Sequence, residues 1–355
     1  MREDLKRLLT TSPPACTPND AEDLAAEYFG KHVRARMLSS ERDQNFRLDA
    51  DSGERYVLKI SNHAERADVV DFQNRALDHI HARDASIPIP RVVAGRNGRS
   101  QFTVKLHGRD HIVRLMTWLE GKVLHDADIG PSQAVRLSAT IGGLLARLGL
   151  ALRGFEHPAS NPPLLWDMKH AGALTELLDC IADEKLRKAS EGALKDFDTL
   201  SPALATLRSQ VIHNDFNPDN LLLQFDDPAR ISGVIDFGDL VASPLIIDVA
   251  VAAAYQLADE GDPLDGALPL IAGYHAARPL QALEIELLPS LIRTRLASSI
   301  LIMSWRMRQY PQNRDYLARS QTRFRQQLVR LRHLDGGLAA ARIQTACSRA
   351  MTAGD

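Results

Sequence analysis

Short runs of alternating apolar and polar residues fill the first third of the chain, and an apolar recurrence every three or four residues takes over after them. The alternation in "VRARMLSS" (Val33 to Ser40), "NFRLDA" (Asn45 to Ala50) and "RYVLKIS" (Arg55 to Ser61) predicts three strands, with "SGE" as the turn between the last two. Ahead of them, Asn19 and Glu22 read as the N-cap and N3 residues of a helix that stops near Gly30. From about Ala64 to Arg83, Val69, Phe72, Ala76, Leu77 and Ile80 fall on one helical face. "SIPIPRVV" must be extended, because its two prolines block a helix. "SQFTVKLHG" and "DHIVRLMTWL" then read as two more strands around a "HGRD" turn.

The pattern changes after Glu120 to Lys122. From Pro131 it is mostly helical, first in "SQAVRLSATIGGLLARLGLAL" and again over 245–258, 281–309 and 312–332. Gly142-Gly143 lacks the preceding strand and the following Lys-Ser/Thr of a phosphate loop, so it predicts close helix packing. A small hairpin, "NLLLQ" and "ISGVI" around "FDDPAR", interrupts the helical half. The expected fold class is α+β and bilobal, with a β-rich lobe over 1–117 and a larger, mainly helical lobe over 118–355.

Composition narrows the function little. With 45% hydrophobic and 25% charged residues and a formal net charge of −2, the chain offers no basic footprint, and nucleic acid is not favoured as a partner. No apolar run approaches the ~20 residues of a membrane span. "MREDLKRLLT" lacks the apolar stretch of a signal peptide. Cys16, Cys180 and Cys347 show no C-x-x-C spacing, which fits unpaired thiols in a reducing cytosol. A soluble cytoplasmic protein is the expectation.

The chemistry concentrates in "VIHNDFNPDNLLLQ" (Val211 to Gln224), a polar loop pinned between apolar runs, and in "ISGVIDFGDL" just behind it. Buried carboxylates need partners or a metal, so Asp215, Asn220 and Asp236 call for a function. Phosphoryl transfer uses this inventory: a carboxylate to orient the acceptor hydroxyl, and an Asn and an Asp to hold Mg²⁺ on the phosphates. Lys59 in "YVLKI" supplies a strand-borne lysine for those phosphates.

These segments resemble the protein-kinase-like aminoglycoside phosphotransferase family, and among its members the hydroxylysine kinase group. "HNDFNPDN" is similar to that family's H-x-D-x-x-x-x-N loop and "IDFGD" to its D-x-D segment. "SSERDQNFRL", "YVLKI", "HIVRLMTWLEG", "GFEHP" and "SPLIIDVA" follow in the expected order. The resemblance implies Asp215 as catalytic base, Asn220 and Asp236 as Mg²⁺ ligands, and Lys59 on the phosphates of ATP or GTP. His213 would brace the loop. Ser39, Ser40 and Asn45 would belong to the turn over the phosphates, and Met116 to Leu119, Trp118 included, to a hinge whose backbone meets the base. Trp118 itself reads as a packing residue. Asp239 stands open between metal or substrate contact and a loop-end cap, and Asp248 would tie the following helix to the loop.

Two departures from the family pattern stand out. Gln73 occupies the position of the glutamate that pairs with the lysine, where it could accept a hydrogen bond from Lys59 without neutralising it; Glu65 is the nearest upstream glutamate. No arginine precedes Asp215 and no A-P-E follows, which disfavours a protein substrate. Asp215, Asp219, Asp239 and Asp248 predict an acidic mouth suited to an amine-bearing alcohol: hydroxylysine, another amino alcohol, homoserine or an aminoglycoside. The same acids could instead balance Mg²⁺ and nearby lysines. A catalytically silent nucleotide-binding protein is the alternative of another class.

Overall fold

The computed structural model describes residues 11, 13–40, 42–309 and 321–352. "MREDLKRLLT", Glu41, and the 312–320 part of the expected helical stretch lie outside the described residues.

Helix α1 (Pro18–Leu24) is capped by Thr17 and Asp20, whose side chains and backbone amides bond reciprocally. This corrects the expected Asn19–Glu22 cap by two residues: Pro18 is favoured in the first turn, so the cap has to precede it. A π-turn (Ala25–Phe29) carries the helix to Gly30, which closes it at φ +66 as expected. Strands β1 (Val33–Leu38), β2 (Gln44–Ala50), β3 (Arg55–Ile60), β4 (Val92–Val93), β5 (Phe102–Leu106) and β6 (Arg109–Thr117) form one antiparallel sheet. Its order is β1-β2-β3-β6-β4, with β5 also on β6. Phe46, Leu48, Leu58, Ile60, Val113 and Leu115 alternate into its core. Helix α2 (Ala67–Arg83) packs its predicted apolar face into the interior, and Phe72, Ala76 and Ile80 are fully covered.

Beyond the short β7 (Lys122–Val123), helix α3 (Pro131–Ala151) leads into a mainly helical region. A 3₁₀ stretch (Met168–Cys180) and α4 (Glu184–Leu204) follow, then β8 (Ser209–Ile212), β9 (Leu221–Leu223), β10 (Ile231–Val234) and β11 (Val241–Pro244). Helices α5 (Leu245–Ala254), α6 (Leu264–Ala277), α7 (Ala282–Gln309), α8 (Gln321–Arg330) and α9 (Gly336–Thr352) complete the described chain. The fold class is the α+β one expected. Gly142 brings α3 against α6 so closely that a Cβ there would sit 1.9 Å from the Leu270 carbonyl oxygen. The glycine therefore serves packing, not phosphate.

Among the described residues two helices, α3 and α7, are long and apolar enough to cross a membrane by length and composition, contrary to the expectation of no such run. The apolar window of α7 is 83% buried within the protein, which accounts for its hydropathy as a core helix. Cys16, Cys180 and Cys347 are all free thiols.

Candidate active site

The two antiparallel pairs β9–β10 and β8–β11 pin the loop 213–220 and the segment 235–240 against each other. Leu221, Leu223, Val211 and Ile212 are buried at the loop's ends, so its polar residues have little freedom to withdraw. Beneath the loop, the Asp248 carboxylate on α5 accepts hydrogen bonds from the His213 amide at 3.1 Å and the Asn214 amide at 2.7 Å. Burial pushes the Asp248 carboxyl up to about 6, and those two amides only partly oppose the shift. His213 is fully buried, edge-on to Phe216 and Phe237, and burial lowers it to about 4. Its Nδ1 accepts from the Asp215 amide at 3.3 Å. A neutral imidazole held this way braces the loop.

Asp215 is gripped from both sides. The Asn220 side-chain amide donates to Oδ2 at 2.8 Å, and Arg295 Nη2 from α7 lies 3.3 Å from Oδ1. Burial first, and then the Asp239 carboxylate, raise Asp215 to about 7, against the pull of Arg295. Such a group sits near the pKa at which a general base works best at neutral pH.

Asp236 lies across from this pair. It adopts φ +57, in the left-handed region that non-glycine residues rarely occupy, and Asn214 does the same at φ +65. Strain of this kind collects where a backbone must aim a side chain. Lys59 Nζ stands 3.5 Å from Asp236 Oδ1, and chiefly that ammonium holds the carboxyl down to about 2. Lys59 is 8% exposed and is therefore no surface lysine.

Gln73 does something other than expected. Its Oε1 accepts from Arg114 at 2.6 Å, and its Nε2 donates to the Gly238 carbonyl at 3.1 Å. Arg114 is the cross-strand neighbour of Lys59, and its buried guanidinium claims the glutamine's only acceptor atom. Lys59 takes Asp236 as its acid instead. Glu65 precedes α2 and faces the cavity, where burial raises its carboxyl.

The cavity between these groups measures about 450 Å³. Ser39, Ser40, Asn45, Lys59, Gln73, Asp215, Asp236 and Asp239 all border it. Ser40 Oγ donates to the Asp43 carbonyl at 2.7 Å, which shapes the turn between β1 and β2. Asn45 lies in β2 opposite Lys59, beyond that turn. Arg42 reaches from the turn to Asp239 at 3.5 Å. Asp239 therefore contacts a cation of the cavity, and burial raises its carboxyl despite that cation.

His213, Asn220, Met116 and Trp118 are not on the cavity's lining. Met116 sits within β6 between Val57 and Val92, inside the sheet and short of any hinge. The amides of Thr117 and Trp118 already donate to the carbonyls of Arg91 and Arg55, and the Trp118 ring carries the Arg47 guanidinium at 4.9 Å. Those two amides are thus taken, and a base-facing backbone has to begin beyond them.

The acidic mouth also needs correction. Asp248 lies under the loop with both oxygens engaged, and Arg42, Lys59, Arg295 and Arg306 share the cavity with the acids. Sequence reasoning missed Arg42 and Arg295. Arg295 lies 80 residues from Asp215, and its only local signal is a charge inside the apolar run of α7.

The donor set fits a hard divalent cation. The Asn220 amide nitrogen is committed to Asp215, which leaves its carbonyl oxygen as a ligand atom, and the ionised Asp236 supplies a carboxylate.

Comparison with known proteins bears on the family and the fold. Residues 34–283 match the model of the phosphotransferase enzyme family (APH). A hydroxylysine kinase of Danio rerio is 26% identical over 318 residues, covering 86% of this chain and 88% of the relative. A homoserine kinase of Paramagnetospirillum magneticum is 27% identical over 303 residues, covering 81% and 86%. Among solved structures, the amicoumacin kinase hAmiN in complex with AMP-PNP, Ca²⁺ and Ami superposes with a TM-score of 0.68 at 14% identity, covering 95% of this chain and 99% of that one. The kinase-like fold built around the Asp215 loop is thus a shared one, and the chain belongs to the phosphotransferase enzyme family.

Proposed function

We propose that the protein is a small-molecule kinase that transfers the γ-phosphoryl group of ATP or GTP, held with Mg²⁺, to the hydroxyl of an amine-bearing alcohol. Hydroxylysine or a related amino alcohol is the acceptor we favour. The observation that carries the reading is Asp215, held between Asn220 and Arg295 on the same cavity as the Lys59–Asp236 pair. A nucleotide phosphoryl donor and a divalent metal go with the family, and the acceptor is an alcohol group. Similarity to proteins named hydroxylysine kinase and homoserine kinase supports an acceptor of that size.

In this reading Asp215 accepts the proton of the acceptor hydroxyl and orients its oxygen toward the phosphorus. Two donors fix the carboxylate, so little reorganisation is left for the reaction itself. Lys59 meets the negative phosphates with its ammonium, and backbone amides near Ser39, Ser40 and Asn45 would meet them as well. Asn220 and Asp236 would hold the metal, which neutralises phosphate charge when bound. His213, Asp248 and Gln73 position these groups without touching the reacting atoms. We place the lobe boundary at 117/118 and the protein in the cytoplasm.

An aminoglycoside acceptor is the second reading, motivated by solved structures of that activity with the same fold. The test is a comparison of kcat/KM for 5-hydroxylysine, ethanolamine-type alcohols, homoserine and kanamycin, each with ATP and GTP. The proposal expects a small amino alcohol to lead. A clear lead for kanamycin would replace the acceptor and leave the phosphotransferase assignment standing.

A further inference from the structure

The α7 side of the cavity brings cations to Asp215. Trp166, Tyr255, Arg295, Ser299, Arg306 and Phe324 all line the cavity, two of them arginines, and the Asp215 and Asp219 carboxylates act on Tyr255. Arg295, Ser299 and Arg306 recur at helical spacing, so one stripe of α7 faces the cavity. Arg306 lies three turns beyond Arg295, ~16 Å along the helix axis. A short molecule seated at Asp215 therefore reaches Arg295 and not Arg306.

Arg295 is 2% exposed, and its guanidinium lies 5.3 Å from the centre of the Trp166 ring. Nη2 serves Asp215 Oδ1 and the Tyr255 side chain also interacts with the guanidinium, but Nε and Nη1 are buried and make no close hydrogen bond among the described residues. Buried donors without acceptors are costly, and native proteins rarely leave them so unless water, an ion or a ligand completes them. A guanidinium is planar and matches a carboxylate with two parallel N–H bonds. Nη2 has a second hydrogen, which forms a fork with the one neighbouring nitrogen, Nε or Nη1, that lies on its side. Nε and Nη1 are covered in this structure, so a carboxylate meets Nη2 first and the fork completes as the wall adjusts.

We propose that Arg295 is the specificity-determining residue of the acceptor site, binding a carboxylate on the molecule whose hydroxyl meets Asp215. The inference rests on the phosphotransferase reading and narrows its acceptor to a short hydroxy acid, in place of a carboxylate-free amino alcohol. Hydroxyl and carboxylate would be joined through the Asp215–Arg295 contact, with one hydrogen bond on either side of it.

Two matched pairs of acceptors test this: 5-hydroxylysine against 1,5-diaminopentan-2-ol, and homoserine against 3-aminopropan-1-ol. Within each pair only the carboxylate differs. Affinity by calorimetry and kcat/KM are measured for the wild type, Arg295→Lys and Arg295→Gln. For at least one pair, the wild type should favour the carboxylate-bearing member about tenfold or more in both readouts, the size of a hydrogen bond to a charged group. Arg295→Gln should bring that ratio below about threefold, with Arg295→Lys between. Equal use of both members of each pair by the wild type overturns the proposal without any variant. A ratio that survives Arg295→Gln, with both members slowed alike, also overturns it and leaves Arg295 as a support for Asp215. If no acceptor is phosphorylated but calorimetry still shows an Arg295-dependent preference, the kinase reading falls and the carboxylate site stands.

Discussion

The two ends of the cavity are built in opposite ways. The end with Lys59 and Asp236, backed by Asn220, is made from loops and strand ends, and each residue sits in a short recognisable segment. The far wall is made from side chains scattered over Trp166, Tyr255 and the long helix α7, where no local spacing announces a site. The difference teaches where each kind of information is stored. Handling a phosphate requires a fixed geometry of few groups, which short motifs encode. Choosing an acceptor needs only a shaped and charged wall, which any helix packed nearby can supply.

Substitutions in the motif segments should act on the chemistry or on the metal–nucleotide, and they mark the comparison most sharply. Asp215→Ala should lower kcat by ~10²–10⁴-fold, with nucleotide affinity nearly intact, because its carboxylate addresses the acceptor hydroxyl. Steady-state kinetics beside a nucleotide titration check this; retention of more than about a tenth of kcat would remove Asp215 as the base. A smaller effect is expected from Asp236→Ala, which should weaken metal–nucleotide affinity and leave acceptor affinity alone. Raising Mg²⁺ should partly restore it. Unchanged metal dependence in that variant would mean Asp236 is no ligand.

The smallest effect concerns Asp248, which supports the loop without lining the cavity. Burial raises its folded pKa to about 6, above the ordinary range of an aspartate. The unfolded chain therefore ionises this group first as pH rises. Its contribution to stability is favourable below the unfolded value, falls across the window from about 4 to about 6, and levels off above it. Asp248→Asn should abolish that part of the slope, worth on the order of 3 kcal/mol. The variant should also lose stability overall, since Asn offers one acceptor oxygen to two amides. Denaturation at a series of pH values reads both effects, and an unchanged slope would contradict the first.

Much of the fold was legible because its elements follow simple periods. The five longer strands of the first sheet and the face of α2 obey alternation and the helical repeat, and the structure keeps them. The caps were less legible. Thr17 and Asp20 outcompeted Asn19 and Glu22 because Pro18 set where the helix could begin. Strands β8 and β11 are four residues long each and carry no pattern of their own. In the site, Asp215, Asn220 and Asp236 stood out as polar residues trapped between apolar runs. Gln73 was found at the right place with its partner left open, because Arg114 is invisible as a competitor until β3 and β6 are paired. Arg295 could be noticed only as a charge inside an apolar helix, and its meaning comes from the 3.3 Å contact with Asp215.

The central claim is that this cavity moves a phosphoryl group onto an acceptor hydroxyl, and the fate of the γ-phosphate tests it most directly. Phosphorus NMR of the protein with ATP or GTP, Mg²⁺ and the acceptors named above should show a phosphomonoester on an acceptor, absent in Asp215→Ala. Nucleotide that binds but stays intact with every acceptor would contradict the account and indicate a silent nucleotide-binding protein.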